Sequence, residues 1–366
     1  MNIAKNQNGE IYYISQFLTS GPPKNQQWFC LKCQQPMHLK LSRNNNYFFS
    51  HVTACGQGLV KKEAVETEAH QLAKAQLVKC LSPAAQFVES EYGLNDIQQT
   101  ADIYWQLSNS RQIVLEFQHS PISRKTLLKR HKLYLTQVNQ CIWIMNDGQF
   151  KSNKLDFWHF SMLQFNHTFG NYWVSLDLGK NLIVIRPNIP LLYQEGFVME
   201  ERFYPLDANL AYILLGDVEH LNYRSRKRMT KKVKTKTFNQ QLSAIMRNRH
   251  YFVPLQTLYR NGFRLHELPK WVLEESWTSP LIVQPMWEFF AWLFVNLKQY
   301  SFSSISESAF KELIQMKKPQ ATFHICQLPL IDEENQQVFF EELIALLIQK
   351  DILLQNEDRS FKILIK

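Results

Sequence analysis

Asp102, Glu116 and Gln118 stand in a stretch, residues 102–120, whose pattern is that of a β-hairpin. Ile103, Trp105 and Leu107 alternate with other residues, Ser108-Asn109-Ser110 supplies a turn, and Ile113 to Phe117 resumes as a strand. Side chains on a strand alternate, so Glu116 and Gln118 share one face and Phe117 takes the other. A carboxylate and an amide then occupy a face that a central strand would fill with apolar groups. Asp102, on the neighbouring strand, can join them. Two carboxylates in a partly buried site repel each other unless a cation or a proton neutralises them. A divalent metal is the natural neutraliser, and it would polarise a phosphoryl oxygen and acidify a bound water. Gln118 carries no charge, so its part would be to orient water or phosphate.

The elements around the hairpin must hold these groups in place. A helix is expected over residues 61–80, stopped at Ser82-Pro83, with Val65, Ala69 and Leu72 as its apolar stripe. Glu66 and His70, one turn apart, project from the margin of that stripe with Lys74 just beyond, where they would overlook the hairpin. The same spacing also suits a surface ion pair. A strand over 86–92, a helix over 123–138 and a short apolar strand over 141–145 follow, then strands at 172–178 and 182–185. The second helix carries Arg124, Lys125, Lys129, Arg130, His131 and Lys132, read as its exposed side. This order describes an α/β fold, a mixed sheet with flanking helices. From about residue 208 the apolar spacing is helical (211–221, 237–249, 284–297, 307–316 and 339–349), which predicts a separate, basic, all-helical C-terminal domain. The expected divisions are 1–60, 61–200 and 201–366.

The first division carries its own chemistry. Cys30-x2-Cys33, a short hairpin turning at Asn44-Asn45-Asn46, and His51-x3-Cys55 have the spacing of a tetrahedral zinc site with three thiolates and one imidazole. His38, inside the apparent strand, is the spare ligand. So small a module has little core, and Zn²⁺ would substitute for one.

A chain of 366 residues with 45% hydrophobic and 13% aromatic content is a packed globular protein of two or three domains, not a disordered one. Its six cysteines do not form a disulfide framework, and the N-terminus lacks the apolar run of a signal peptide. No stretch is long and apolar enough to span a bilayer, so a cytoplasmic protein is expected. The net charge of +9 is concentrated: residues 220–266 hold twelve Lys and Arg and no Asp or Glu, which leaves −3 for the rest. Arg224, Arg226, Lys227, Arg228, Lys231, Lys232, Lys234 and Lys236, with Arg130, are therefore the expected DNA-phosphate contacts. Tyr223, Phe238, Tyr251 and Phe252 flank the run and could stack on unpaired bases.

In order, Glu66 on a helix, Asp102 on a strand and Glu116-x-Gln118 on the next strand resemble the PD-(D/E)XK nuclease superfamily. Ala101 replaces the usual proline, and Gln118 stands in the lysine position. The resemblance implies a restriction-endonuclease-like mixed sheet and Mg²⁺ or Mn²⁺ held by Asp102 and Glu116. Glu66, His70 and Gln118 would complete the catalytic set. Five features are similar to the CoiA competence-protein family over residues 25–150. They are the Cys30-x2-Cys33 knuckle with Phe48-Phe49-Ser50-His51, Glu66-x3-His70-x3-Lys74, Ala101-Asp102-Ile103, Glu116 to Ser123, and Arg130-x3-Tyr134. That similarity implies a role in natural transformation, promoting recombination of internalised single-stranded DNA alongside the strand-exchange recombinase. Single-stranded or branched DNA would be the substrate. A nuclease fold kept as a DNA-binding scaffold for the recombinase is the alternative expectation.

Overall fold

The structure is a computed structural model that describes residues 3–13, 17, 21–23, 26–30, 34–41, 47–52, 68–152, 154–194, 196–231, 237–274, 277–301, 303–315 and 325–365. The chain forms two units, residues 1–71 and 72–366. In the first, β1 (Ile3–Asn6), β2 (Ile11–Tyr13), β3 (Trp28–Phe29), β4 (Pro36–Leu41) and β5 (Tyr47–His51) make an antiparallel sheet in the order β2-β1-β3-β4-β5. Its core is small: Ala4, Phe17, Trp28, Cys30, Met37 and Phe49.

The hairpin of residues 102–120 lies at the centre of the second unit. Helix α1 (Glu68–Leu81) leads to β6 (Phe87–Leu94), β7 (Gln99–Gln106) and β8 (Gln112–Gln118). Then come α2 (Arg124–Leu135), β9 (Gln140–Asn146), α3 (Phe157–Ser161), β10 (Gln164–Asn166), β11 (Gly170–Asp177) and β12 (Leu182–Arg186). After a short β13 (Tyr193–Gln194), β14 (Val198–Pro205), α4 (Leu210–Leu215) and β15 (Arg224–Met229) complete the sheet region. The strand order is β15-β14-β12-β11-β9-β8-β7-β6, with β10 alongside β11. The β8–β9 and β9–β11 pairs are parallel and the others antiparallel. The mixed sheet expected from the sequence is thus present.

Strand alternation sorts the sheet into two faces. Ile103, Trp105, Ile113, Leu115, Phe117, Ile142, Ile144, Val174 and Ile185 point to a core closed by Ala73, Leu77 and Leu81 of α1 and by α4. Val114, Trp143, Met145 and Trp173 point the other way, toward Leu127 and Tyr134 of α2. Each such burial is worth about 1.5–3 kcal/mol.

Three expectations need correction. The inward stripe of α1 is Ala73, Leu77 and Leu81, one step round from the expected one, and Leu72 is exposed. The expected boundary at residue 200 falls inside β14, and the basic run expected in the helical domain supplies β15, an edge strand. Arg-Ser-Arg-Lys-Arg-Met has no apolar alternation to betray a strand; its ladder to β14 rests on backbone pairing. Nor do the later helices stand apart. They are α5 (Phe238–Arg247), α6 (Phe252–Arg260), α7 (Lys270–Glu274), α8 (Met286–Lys298), α9 (Glu307–Gln315) and α10 (Val338–Gln349). Phe289, Phe290 and Leu293 of α8 and Leu343 and Leu347 of α10 share one continuous core with the α2 face of the sheet. Short strands also intervene: β16 (Trp277–Thr278) pairs with β13, while β17 (Ser304–Ile305), β18 (Leu353–Gln355) and β19 (Phe361–Ile363) form a small sheet. Among the described residues no helix is long and apolar enough to cross a membrane.

Candidate active site

The β7–β8 ladder pairs Ile103 with Leu115 and Tyr104 with Val114. Beyond Ile103 its regular pairing stops. There the Asp102 carboxylate accepts a hydrogen bond from the Phe117 backbone N–H (2.8 Å), a donor the ladder leaves over. Asp102 therefore closes the opened end of the hairpin with its side chain, one residue from Glu116.

Glu116 is almost wholly buried, with 2% of its surface exposed. Helix α2 meets it there. Ser123 caps the helix, its hydroxyl accepting from the Thr126 N–H, and Leu127, Arg130 and Tyr134 fall at i, i+3 and i+7 on one side. Arg130 Nη2 donates to Glu116 Oε2 (2.7 Å), and the Tyr134 hydroxyl donates to Glu116 Oε1 (2.6 Å). The guanidinium also lies over the Trp143 ring, 5.5 Å from its centroid. Burial first, and repulsion from Asp102 second, push the Glu116 pKa up to about 8, although Arg130 and Tyr134 oppose them. Burial works against the Arg130 charge, yet Glu116 and its neighbours hold that guanidinium more firmly protonated than usual. The Thr100 carbonyl lies 3.0 Å from the Tyr134 hydroxyl. The hydroxyl can thus donate to an ionised Glu116, or turn to Thr100 and accept from a protonated one. The site is built to tolerate both states.

The structure brings Asp102 and Glu116 together and adds two partners. Arg130, expected on the exposed side of α2 as a DNA contact, turns inward to Glu116. Tyr134 has the same destination. Gln118 shares the strand, but its amide donates to the Ser120 carbonyl. Glu66 lies outside the described residues. His70 is half-buried on α1, and Lys74, on the row below it, is buried and ion-paired with Glu91 on β6. Glu91 has φ 58°, a left-handed turn of the strand that aims it there.

Two carboxylates suit Mg²⁺ or Mn²⁺, which bind through one or two carboxylates and complete their shells with water and substrate phosphate. Among the described residues no group of three or more His, Cys, Asp or Glu forms a ready cage. Both Glu116 oxygens already receive hydrogen bonds. The donor set therefore fits a divalent ion shared by Asp102 and Glu116 provided that Arg130 moves off Glu116.

In the first unit, β3 pairs Phe29 with Pro36 and β5 pairs His51 with Met37, so the sheet carries Cys30 and His51 to the same end of β4. Cys30 is buried, and a tight turn links it to Gln34 and Gln35 through backbone hydrogen bonds of 2.9 Å. His38 is exposed and pairs with Ser50 further along. Cys33 and Cys55 lie outside the described residues. Cys30 and His51 are donors of the types that zinc takes, carried at the ends of the two strands that flank β4.

Two arginines of the basic run, Arg226 and Arg228, have partners within the fold. Arg186 on β12 is buried and donates to Glu201 (2.9 Å), the Ser175 hydroxyl (2.7 Å) and Asp147 (2.6 Å), with its guanidinium 3.8 Å from the Phe150 ring centroid. Arg226 donates to Glu201 through Nε (3.0 Å), and Arg228 reaches Glu201 and the Phe150 and Lys151 carbonyls. Against the burial that would raise them, the Arg186 guanidinium holds Asp147 and Glu201 below the usual carboxylate range. Alternation along β15 aims Arg226 and Arg228 at this buried acid, so these two are structural counter-charges. Arg224 and Lys227 are exposed on the same edge strand and Lys231 follows it, while Lys232, Lys234 and Lys236 lie outside the described residues. Of the flanking aromatics, Tyr223 lies tilted against Tyr204, and Phe238 and Tyr251 pack against the core, whereas Phe252 is exposed.

Sequence reasoning missed Tyr134, Arg186, Asp147 and Glu201 as members of polar clusters. For Tyr134 the signal was present, in its spacing from Leu127. Residues 66–212 match the family model described as competence protein CoiA, nuclease-like domain. No curated protein and no solved structure matches the chain.

Proposed function

We propose that this protein, whose residues 66–212 belong to the CoiA nuclease-like domain family, is a metal-assisted DNA phosphodiesterase acting on single-stranded or branched DNA during competence. It would serve recombination of internalised DNA, with the strand-exchange recombinase as partner. The observation that carries the reading is the convergence of Asp102 and Glu116 at the opened end of the β7–β8 hairpin. Two carboxylates kept together in a buried site are costly without a task, and next to DNA they repel phosphate. A bound Mg²⁺ or Mn²⁺ would supply Lewis-acid polarisation of the phosphoryl oxygen and an acidified water.

The chain's own residues do the rest. Asp102 is fixed by the Phe117 N–H, which holds its carboxylate at the opened end of the hairpin beside Glu116. Glu116 is held by Tyr134 and Arg130, and the Arg130 guanidinium, beside the acidic pair, is of the type that pairs with phosphate. Structural zinc at Cys30, Cys33, His51 and Cys55 would hold the first unit.

A second reading has its own support. Arg130 and Tyr134 satisfy Glu116 without metal, and the Gln118 amide is engaged by Ser120 rather than by the acidic pair. On that reading the domain is a DNA-binding scaffold that assists the recombinase. Purified protein incubated with labelled single-stranded, duplex and branched DNA, in Mg²⁺, Mn²⁺ or EDTA, separates the two. Cleavage that needs metal and disappears in Asp102→Ala and Glu116→Ala supports the enzyme. DNA binding by all three proteins with no cleavage in either metal supports the scaffold.

A further inference from the structure

Of the twelve positive charges of residues 220–266, Arg226 and Arg228 of β15 turn toward Glu201. Those further on, Arg247 at the end of α5, Arg249 in the turn that follows and Arg260 at the end of α6, are exposed, and none forms an ion pair among the described residues. No Asp or Glu occurs between residues 237 and 266 to quench them.

The same corner carries apolar side chains where an amphipathic helix should be polar. Leu258 of α6 is buried and Leu255 packs beside it, which fixes the inward side. Phe252 is nevertheless 66% exposed, Val253 59%, Tyr259 51% and Met246 63%. Phe252 and Tyr259 are seven residues apart, hence on one side of the helix and about 10 Å apart along it. Arg260 lies beside them. Two rings facing solvent within a fringe of unpaired guanidinium groups need a partner that is both anionic and flat-faced.

Unpaired bases on a phosphate backbone have both properties. Every base offers a face for stacking, and its phosphates match the arginines. Duplex DNA hides those faces, so the rings would gain little from it. A second copy of this surface would bring like charges together.

We propose that the outer face of α5 and α6 is a binding platform for single-stranded nucleic acid, with Phe252 and Tyr259 stacking on bases and Arg247, Arg249 and Arg260 on flanking phosphates. The proposal rests on the reading that DNA is the partner, and it moves the grip from residues 224–236 to residues 246–260.

The test uses the full-length protein in EDTA with fluorescent oligothymidylate and a duplex of equal length, read by anisotropy over a salt series. Wild type binds the single strand more tightly. Phe252→Ala/Tyr259→Ala weakens that binding roughly tenfold or more while leaving the salt slope unchanged. Arg247→Gln/Arg249→Gln/Arg260→Gln weakens it and lowers the slope by about 2. All five side chains are exposed, so both variants should melt with wild type. Wild-type binding that neither variant weakens overturns the platform and leaves the DNA reading standing. Equal losses on single strand and duplex in the aromatic variant overturn stacking. A wild type that binds and cuts no DNA, but self-associates through Phe252, overturns both readings.

Discussion

Replacing Glu116 by glutamine should change how stability depends on pH more than it changes stability at any one pH. Glu116 is buried and faces Asp102, and its pKa rises from the ordinary 4.5 to about 8. Between those values the folded protein keeps a proton that the unfolded chain has lost. Wild type therefore loses stability as pH climbs from about 4.5 through about 8, and the contribution is fully present only below the lower value. At about 1.4 kcal/mol per pH decade, that interval sets a ceiling of about 5 kcal/mol. The true figure is lower, since water reaches Arg130, whose side chain is 29% exposed. The amide introduced by Glu116→Gln would keep an oxygen for Tyr134 or Arg130 and carry no charge for Asp102 to repel. Urea denaturation in EDTA, from about pH 5 to about pH 8, should show Glu116→Gln gaining on wild type by a few kcal/mol as pH rises. Parallel curves for the two proteins would refute the argument, because they would mean that Glu116 ionises in the fold as easily as in the open chain.

Three other outcomes are expected. Glu201→Gln leaves the buried Arg186 with one of its counter-charges, Asp147, and takes the Glu201 charge from Arg226 and Arg228, and should cost roughly 3 kcal/mol; a loss below about 1 kcal/mol in urea denaturation would contradict the structural role given to this cluster. Tyr134→Phe removes a hydrogen bond to the Glu116 carboxyl and, below about pH 8 where that carboxyl holds its proton, should cost about 0.5–1.5 kcal/mol, and a neutral result would show that the Glu116 contact adds nothing to stability. Cys30→Ser should lower bound zinc, and chelation should make residues 1–71 protease-sensitive before residues 72–366; undiminished zinc in the variant would dispose of the site.

The hairpin was legible because its rules are local. Alternation over Ile103, Trp105 and Leu107, turn chemistry at Ser108 to Ser110 and the resumed strand leave few alternatives, and β7 and β8 follow them. The stripe of α1 lies one position away from its sequence reading because a charged Lys74 counts as a margin residue until its partner is known, and Glu91 on β6, itself exposed, supplies the counter-charge that lets Lys74 be buried. β15 could not be read from hydrophobicity at all. Only its period of two, Arg224, Arg226 and Arg228, carries the strand signal, and its meaning depends on Glu201, more than twenty residues earlier on β14.

Arg130 shows how charge misleads when it is read without period. On α2 it stands among Lys125, Lys129 and Lys132, which are exposed, and a count of charges assigns all four to solvent. Helical geometry says otherwise: residues 127, 130 and 134 span about 60° of arc, so Leu127 and Tyr134 draw Arg130 inward with them. An arginine turned inward requires an acid, and Glu116 is an acid on a strand that otherwise wants apolar side chains. Each anomaly resolves the other. That mutual dependence is also why a metal at this site cannot simply be added to the existing contacts. A divalent ion held by Asp102 and Glu116 would compete with a guanidinium that already balances one carboxylate. Arg130→Gln tests that competition: it should ease metal binding, which calorimetry would register, while weakening the grip on DNA. A variant that bound metal no better than wild type would show that Arg130 and the ion do not compete for Glu116.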